Sequence, residues 1–235
     1  MDISANLGQV RQRISAACAR SGRQPGSVAL ITVSKGQPAE VVRAAAELGL
    51  SVFGENRVQE AAAKIGLCPG RLSWHLIGHL QSNKCRDAVH FFSMIQSVDS
   101  LSLAREINKW AEKSARTIPA LIEVNVAGES SKFGYAPEKL LADLKEINAL
   151  PKIELQGLMT VAPFVREPEK VRPVFRGLRE WKERCEDLLG APLPHLSMGM
   201  SGDFEVAVEE GATMIRLGSA VLGPRSAFKP AAGGP

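Results

Sequence analysis

The sequence predicts an α/β fold, a single (β/α)8 TIM barrel with one additional helix at its N-terminus. Three observations point there. Eight short apolar runs of strand length alternate with seven amphipathic runs of helix length, and a further helical run precedes them. No linker rich in Pro, Gly or Ser interrupts that alternation. The length of 235 residues, 45% of them hydrophobic, suits one barrel of ordinary globular composition.

The elements follow in order. A helix over Ile3–Ser21 leads into the apolar run Val28–Ser34, rich in β-branched residues and therefore a strand. Lys35 and Gly36 end that strand, and Pro38 opens a helix over Ala39–Leu48. The next strand, Ser51–Gly54, precedes a helix over Asn56–Ile65, and the third, Trp74–Gly78, precedes one over Ser82–Val89. The fourth strand, Phe91–Val98, is followed by a helix over Ser100–Ala115, in which Leu101, Ala104, Ile107 and Ala111 recur at the three-and-four spacing of a buried face. Strands at Ala120–Val126, Glu154–Val161, His195–Met198 and Met214–Leu217 complete the set. Between them lie helices at Pro137–Leu150, Glu167–Leu188 and Gly202–Glu210. The domain is expected over residues 1–228, with residues 229–235, rich in Pro, Gly and Ala, as a disordered tail.

Composition narrows the function classes. The net charge of +4 is spread along the chain, and aromatic residues make up 5% without interleaving among the basic ones. Nucleic-acid binding has little support in that pattern. A mild positive balance suits a small phosphorylated ligand. Cys18, Cys68, Cys85 and Cys185 are far apart and form no Cys-x-x-Cys pair, as expected of reduced thiols in a cytoplasmic protein. Met1–Asn6 lacks the basic and apolar regions of a signal peptide, and no apolar stretch reaches the roughly 20 residues of a membrane span.

In a barrel, ligands bind at the carboxyl ends of the strands. Polar groups fall there: Lys35; Glu55-Asn56-Arg57; His79, Asn83 and Lys84; Asn125; Met159-Thr160; Ser197 to Gly202; Gly218-Ser219. Lys35 reads either as a solvated strand cap or as an amine held near apolar walls, able to lose its proton and attack a carbonyl. The small-residue turns Ser197-Met198-Gly199-Met200-Ser201-Gly202-Asp203 and Gly218-Ser219-Ala220 follow the last two strands. Loops at those places commonly bind phosphate through backbone N–H groups, and Ser201 and Ser219 add hydroxyl donors. An amine together with a phosphate cradle points to pyridoxal 5′-phosphate (PLP). Arg216, just before the phosphate glycine, is within reach of a ring anchored there, where it would keep a pyridine nitrogen unprotonated. A surface ion pair is its other reading. His75 and His79 span a strand-to-loop passage and share no helix face, which argues against a metal site. Asp203 reads as a first-turn acid, and Trp110 and Trp181 as packing residues.

At these residues the chain resembles the YggS/PROSC family of pyridoxal phosphate homeostasis proteins. The resemblance rests on Val33-Ser34-Lys35, on Phe53 to Glu60 (FGENRVQE), on Trp74 to Lys84 (WHLIGHLQSNK), on Leu196 to Ser201, and on Arg216-Leu217-Gly218-Ser219-Ala220. It implies a barrel like the N-terminal domain of alanine racemase, with PLP as cofactor. By that carry-over Lys35 forms the Schiff base and Asn56 contacts the cofactor's face. Ser201, Gly218 and Ser219 hold the phosphate, Arg216 faces the pyridine nitrogen, and Met198 and Gly199 line the same pocket. Gln37 stands where many members have a second basic residue, and Lys132 matches a family lysine near the pocket that would assist PLP exchange.

The resembling racemases take a catalytic tyrosine from a second domain, whereas this chain has one tyrosine, Tyr135, and 18 residues after Leu217. The expectation is therefore a monomeric PLP carrier that buffers or delivers the cofactor, with apo PLP-dependent enzymes as its partners. Competing readings are a weak PLP-dependent amino-acid racemase, a PLP-responsive regulatory protein and a cofactor-free Schiff-base aldolase.

Overall fold

Parallel strands cannot be joined by tight turns, so each must be followed by a crossover that returns the chain to the end of the sheet where the strands begin. The computed structural model, which describes residues 2–129 and 132–224, shows this pattern carried to closure. The strands are β1 (Ala29–Val33), β2 (Val52–Glu55), β3 (Ser73–Leu76), β4 (Met94–Val98), β5 (Ile118–Glu123), β6 (Ile153–Met159), β7 (His195–Ser197) and β8 (Met214–Leu217). They pair in chain order, all parallel, into a closed barrel in which β8 returns to β1.

Helices α1 (Ile3–Arg20), α2 (Ala39–Glu47), α3 (Val58–Ile65), α4 (Cys85–Phe91), α5 (Leu101–Lys113), α6 (Pro137–Asn148), α7 (Arg172–Leu189), α8 (Phe204–Glu209) and α9 (Ser219–Leu222) surround it. The additional helix α1 starts at Asp2, whose carboxylate accepts from the Ala5 N–H. It buries Leu7, Val10, Ile14 and Ala17 at helical spacing. Arg13 and Arg20 tie it to Glu205 and Glu209 on α8, and Asn6 Nδ2 donates to the Val221 carbonyl of α9. The extra helix thereby covers the last units of the barrel.

Alternation along each strand sends side chains to two places. One set meets the helices in a continuous apolar layer. The other fills the barrel interior, where Ile31, Met94, Leu121, Met159 and Met214 pack together. Burial pushes the thiols of Cys85 and Cys185 up, to about 12 and about 11, so both stay protonated and unreactive at neutral pH.

Two strand boundaries differ from the sequence reading by three residues, and most of the others by one or two. The fourth strand starts at Met94, because α4 runs on to Phe91; an apolar run shared by a helix end and a strand start carries no period that separates them. The fifth ends at Glu123, because the chain folds back and Tyr135 N–H donates to the Glu123 carbonyl at 2.8 Å. The helix α9 is additional to the expected set. Residues 225–228 of the expected domain and the expected tail, residues 229–235, lie outside the described residues.

Between β5 and β6 the register shifts, with Ala120 opposite Leu155 but Leu121 opposite Gly157, so Gln156 is the extra residue of a bulge. Gly157 has φ +155, and a Cβ there would lie 2.0 Å from the His195 carbonyl oxygen of β7. Only glycine fits that approach. Gly157→Ala is expected to destabilise the fold by at least about 2 kcal/mol, as overpacking against a rigid backbone does. Urea unfolding measures it, and an unchanged midpoint would contradict the close approach of β6 and β7.

Candidate functional site

The first strand delivers its lysine through a tight turn. Ser34 N–H makes one more ladder bond, to the Gly54 carbonyl at 3.1 Å, and Gln37 N–H then donates back to the Ser34 carbonyl at 3.0 Å. Gly36 holds φ +69 inside that turn, a conformation that costs glycine nothing. Lys35 thus leaves the sheet half-buried at the carboxyl mouth of the barrel. There it lines a cavity of about 410 Å³ together with Asn56, Arg216, Ser201, Gly218 and Ser219. Six of the eight residues expected at a site therefore share one cavity, although they come from both ends of the chain.

Arg216 is buried to 4% exposure, so the surface ion pair left open by the sequence is not what is found. Its Nη1 donates to Ser197 Oγ and its Nη2 to the Thr160 carbonyl, both at 2.7 Å. Desolvation lowers its pKa to about 10, with the Glu123 and Asp203 carboxyls opposing that shift. It remains charged at neutral pH. The chain of donors continues inward: Ser197 Oγ–H donates to Gln96 Oε1 at 2.6 Å, and Gln96 Nε2 reaches His75 Nδ1 at 2.9 Å. Burial drops His75 to about 4, so it is neutral and Nδ1 is free to accept. The cation at the mouth is therefore held from below by a polar thread through the barrel interior.

The two glycine- and serine-containing loops meet as well. Ser201 Oγ accepts from the Ala220 N–H at 3.3 Å, linking the loop after β7 to α9. Asp203 is the N-cap residue of α8, but its Oδ1 accepts from Met200 N–H at 2.6 Å and so closes the loop itself. Burial raises its pKa. Gly218 sits where a Cβ would stand 3.2 Å from the Val33 carbonyl, keeping the β8 exit close to the β1 exit. Asn56 Oδ1 is buried without a hydrogen-bond partner among the described residues.

Met198 and Gly199 lie elsewhere. Strand alternation points Ser197 into the barrel and Met198 outward, where it is fully buried in the layer under the helices. Gly199 has φ +94, and a Cβ on it would stand 2.6 Å from Ala207 Cβ of α8. Both residues back the loop rather than line the cavity; Met200, Gly202 and Asp203 line it instead. Gln37 is buried beside Lys35, Gly218 and Ser219.

A neighbouring cavity of about 290 Å³ shares Asn56, Ile77 and Val161 with the first. His79, on the rim, lies 3.0 Å from Asp99 Oδ2 and stacks on Phe133 at 3.8 Å between ring centroids. Lys132 pairs with Glu129 at 2.9 Å. Lys84 lines a third cavity, of about 650 Å³, with Arg57 and His79. No group of three or more His, Cys, Asp or Glu side chains among the described residues is placed to hold a metal ion. Trp110 and Trp181 pack against the helical layer.

Glu123, which lines the second cavity, escaped the sequence reading because the expected fifth strand ran past it. Its signal was an acid closing the apolar run Ala120-Leu121-Ile122. Burial pushes its carboxyl up to about 7, against the pull of Arg216. From the ordinary carboxylate range up to about pH 7, the folded protein keeps a proton that the unfolded chain has released. Ligand-free stability therefore falls as pH rises through that window and levels off above it. Glu123→Gln is expected to gain on its parent by on the order of 2 kcal/mol between about pH 5 and about pH 8. Denaturant unfolding at both values checks this, and a pH-independent difference would place the titration on another group.

The whole chain finds relatives. Residues 5–226 match the family model of the alanine racemase N-terminal domain. The pyridoxal phosphate homeostasis protein of Aquifex aeolicus is 45% identical over 226 residues, covering 96% of this chain and 99% of the relative. That of Pseudomonas aeruginosa is 40% identical over 230 residues, covering 97% and 98%. PipY of Synechococcus elongatus, solved without PLP, superposes with a TM-score of 0.82 at 38% identity, over 91% of this chain and 99% of PipY. The same protein solved with PLP bound gives a TM-score of 0.80. An alanine racemase of Clostridium difficile shares the fold at 17% identity, with a TM-score of 0.71 over 93% of this chain and 56% of the racemase. With a family model matched over nearly its full length and relatives well above the identity at which families diverge, this chain belongs to the YggS/PROSC family of pyridoxal phosphate homeostasis proteins.

Proposed function

We propose that this protein binds PLP reversibly in the Lys35 cavity and serves intracellular PLP homeostasis, buffering the cofactor or delivering it to apo PLP-dependent enzymes, without sustained turnover. One observation carries the reading: a lysine, a buried arginine and two serine-containing loops meet in a single cavity. The residues present fit the cofactor. A phosphate needs donors and close backbone approach, and Ser201, Gly218 and Ser219 supply both. A planar ring needs a contact on its face, and Asn56, which lines the cavity, is the side chain that would supply it.

PLP supplies an aldehyde for covalent attachment and an electron-withdrawing ring. Lys35 carries the amine that would bond to the aldehyde carbon, the aldehyde oxygen leaving as water. Arg216, fixed through Ser197 and Thr160, carries a positive charge at neutral pH that would disfavour a proton on a ring nitrogen beside it. An unprotonated ring would be a weak electron sink, which suits holding better than turnover. Met198 and Gly199 act from behind, as packing that shapes the loop carrying Ser201. Tyr135 is buried against α6, its hydroxyl 3.2 Å from Asp143 Oδ2, so it does not stand in for the racemase tyrosine. The reading is of a cytoplasmic monomer. No described helix is long and apolar enough to cross a membrane.

The competing reading, a weak PLP-dependent amino-acid racemase, is favoured by Glu123, a carboxyl titrating near neutrality beside the cavity. Purified protein mixed with PLP is expected to turn yellow, and borohydride is expected to fix one cofactor per chain, on Lys35, as read by peptide mass. Lys35→Ala should stay colourless and unlabelled; a label on another lysine overturns the site. Racemisation of a free amino acid faster than PLP alone achieves, lost in Lys35→Ala, would favour the enzyme. Faster reactivation of an apo PLP enzyme by loaded protein than by free PLP would support delivery.

A further inference from the structure

Beneath the Lys35 turn lies a buried ion pair that the cavity does not contain. Glu55, the last residue of β2, is fully buried, and Lys64, in the last turn of α3, has a side chain 9% exposed. Lys64 Nζ stands 2.5 Å from Glu55 Oε1 and donates to the Ser34 carbonyl at 2.7 Å. Ser34 Oγ–H donates to the same Glu55 oxygen, also at 2.7 Å. The second carboxylate oxygen, Oε2, is buried with no hydrogen-bond partner among the described residues. Stability alone is a weak reason for such an arrangement. Desolvating two charges costs about as much as their attraction returns, and a well-packed apolar pair serves as well or better.

Position supplies the reason. Ser34 immediately precedes Lys35, and Glu55 immediately precedes Asn56. The triad therefore joins the exits of two adjacent strands one residue upstream of two groups that line the cavity. The Ser34 carbonyl has two tasks: it closes the Lys35 turn through Gln37 N–H and receives the Lys64 ammonium. The turn presenting Lys35 is thus anchored to α3 by a charge-assisted bond, the stronger and more directional kind. Among the described residues, the bond from Ser34 N–H to the Gly54 carbonyl continues the β1–β2 ladder up to the residue before Lys35.

We infer that Lys64 and Glu55 are positioning residues: their ion pair, closed through Ser34, sets the direction in which Lys35 enters the cavity. The inference rests on the reading that Lys35 bonds to the aldehyde of PLP. Its simplest rival is a structural staple that holds α3 to the barrel and leaves the ligand indifferent.

Two ligands separate these. PLP uses Lys35, whereas pyridoxine 5′-phosphate has the same ring and phosphate with an alcohol in place of the aldehyde. Affinities of both are measured for the parent, Lys64→Met and Lys64→Arg, with melting temperature alongside. Lys64→Met is expected to weaken PLP about tenfold or more, the scale of a misplaced reacting group. Pyridoxine 5′-phosphate should stay within about twofold, and Lys64→Arg should recover most of the loss. Equal weakening of both ligands, or unchanged PLP affinity, overturns the inference. Should Lys64→Met fail to fold, Ser34→Ala, which removes one hydroxyl and keeps the ion pair, is expected to show the same selective loss at about threefold. Absence of selectivity there overturns it equally. A parent that binds PLP no better than pyridoxine 5′-phosphate refutes instead the role of Lys35, and the inference falls with it.

Discussion

Closure of the barrel between β8 and β1 is the interaction on which the site depends. The ladder runs from Ala29 opposite Met214 to Thr32 opposite Leu217, and it sets Ile31 beside Arg216. That register brings Lys35, from the first strand, to the same mouth as the Gly218-Ser219 turn after the last. Gly218 allows the two exits to converge on the Val33 carbonyl. A shift of one residue would turn Arg216 from the barrel interior to the helical layer and Leu217 inward. Register, not loop chemistry, therefore decides whether amine, cation and phosphate loops meet.

The barrel interior divides its work along the axis. Ile31, Met94, Leu121, Met159 and Met214 make an apolar plug. Beside it runs a chain of polar side chains from His75 through Gln96 and Ser197 to Arg216. Each donor on that chain meets an acceptor, which is the condition for a buried polar network to stiffen a site rather than weaken it. Arg216 has no freedom to swing toward solvent, and its charge reaches a ligand as a fixed feature of the wall. Holding the cation this way costs desolvation energy, visible in its lowered pKa. The same low-dielectric mouth raises Glu123 and Asp203, so the three groups share one electrostatic environment.

Much of the architecture was legible from the alternation of apolar runs, because a parallel strand buried on both faces reads as a continuous apolar stretch and its helix as a 3.6-residue period. Boundaries were less so. The stretch from Phe91 to Val98 opens on two apolar residues that continue into the strand, yet its first residue ends a helix. Lys35, Asn56, Ser201, Arg216, Gly218 and Ser219 were identifiable as strand-end groups and as carriers of a family resemblance. Glu123 was hidden inside an over-long strand. Met198 and Gly199, adjacent to true cavity residues, are turned away by the alternation of β7 and the packing of α8.

The sequence by itself determined the class of fold, the ends of strands where chemistry sits, and the residue types suited to an aldehyde and a phosphate. These are local properties, written in periodicity and in the chemistry of single side chains. Only the tertiary structure decided that Arg216 is a buried cation, that Glu123 titrates near neutrality, and that Lys64 reaches Glu55 and Ser34 beneath the Lys35 turn. Each of these depends on how much water is excluded and which groups from distant segments lie within hydrogen-bond reach. Neither quantity exists until the barrel closes.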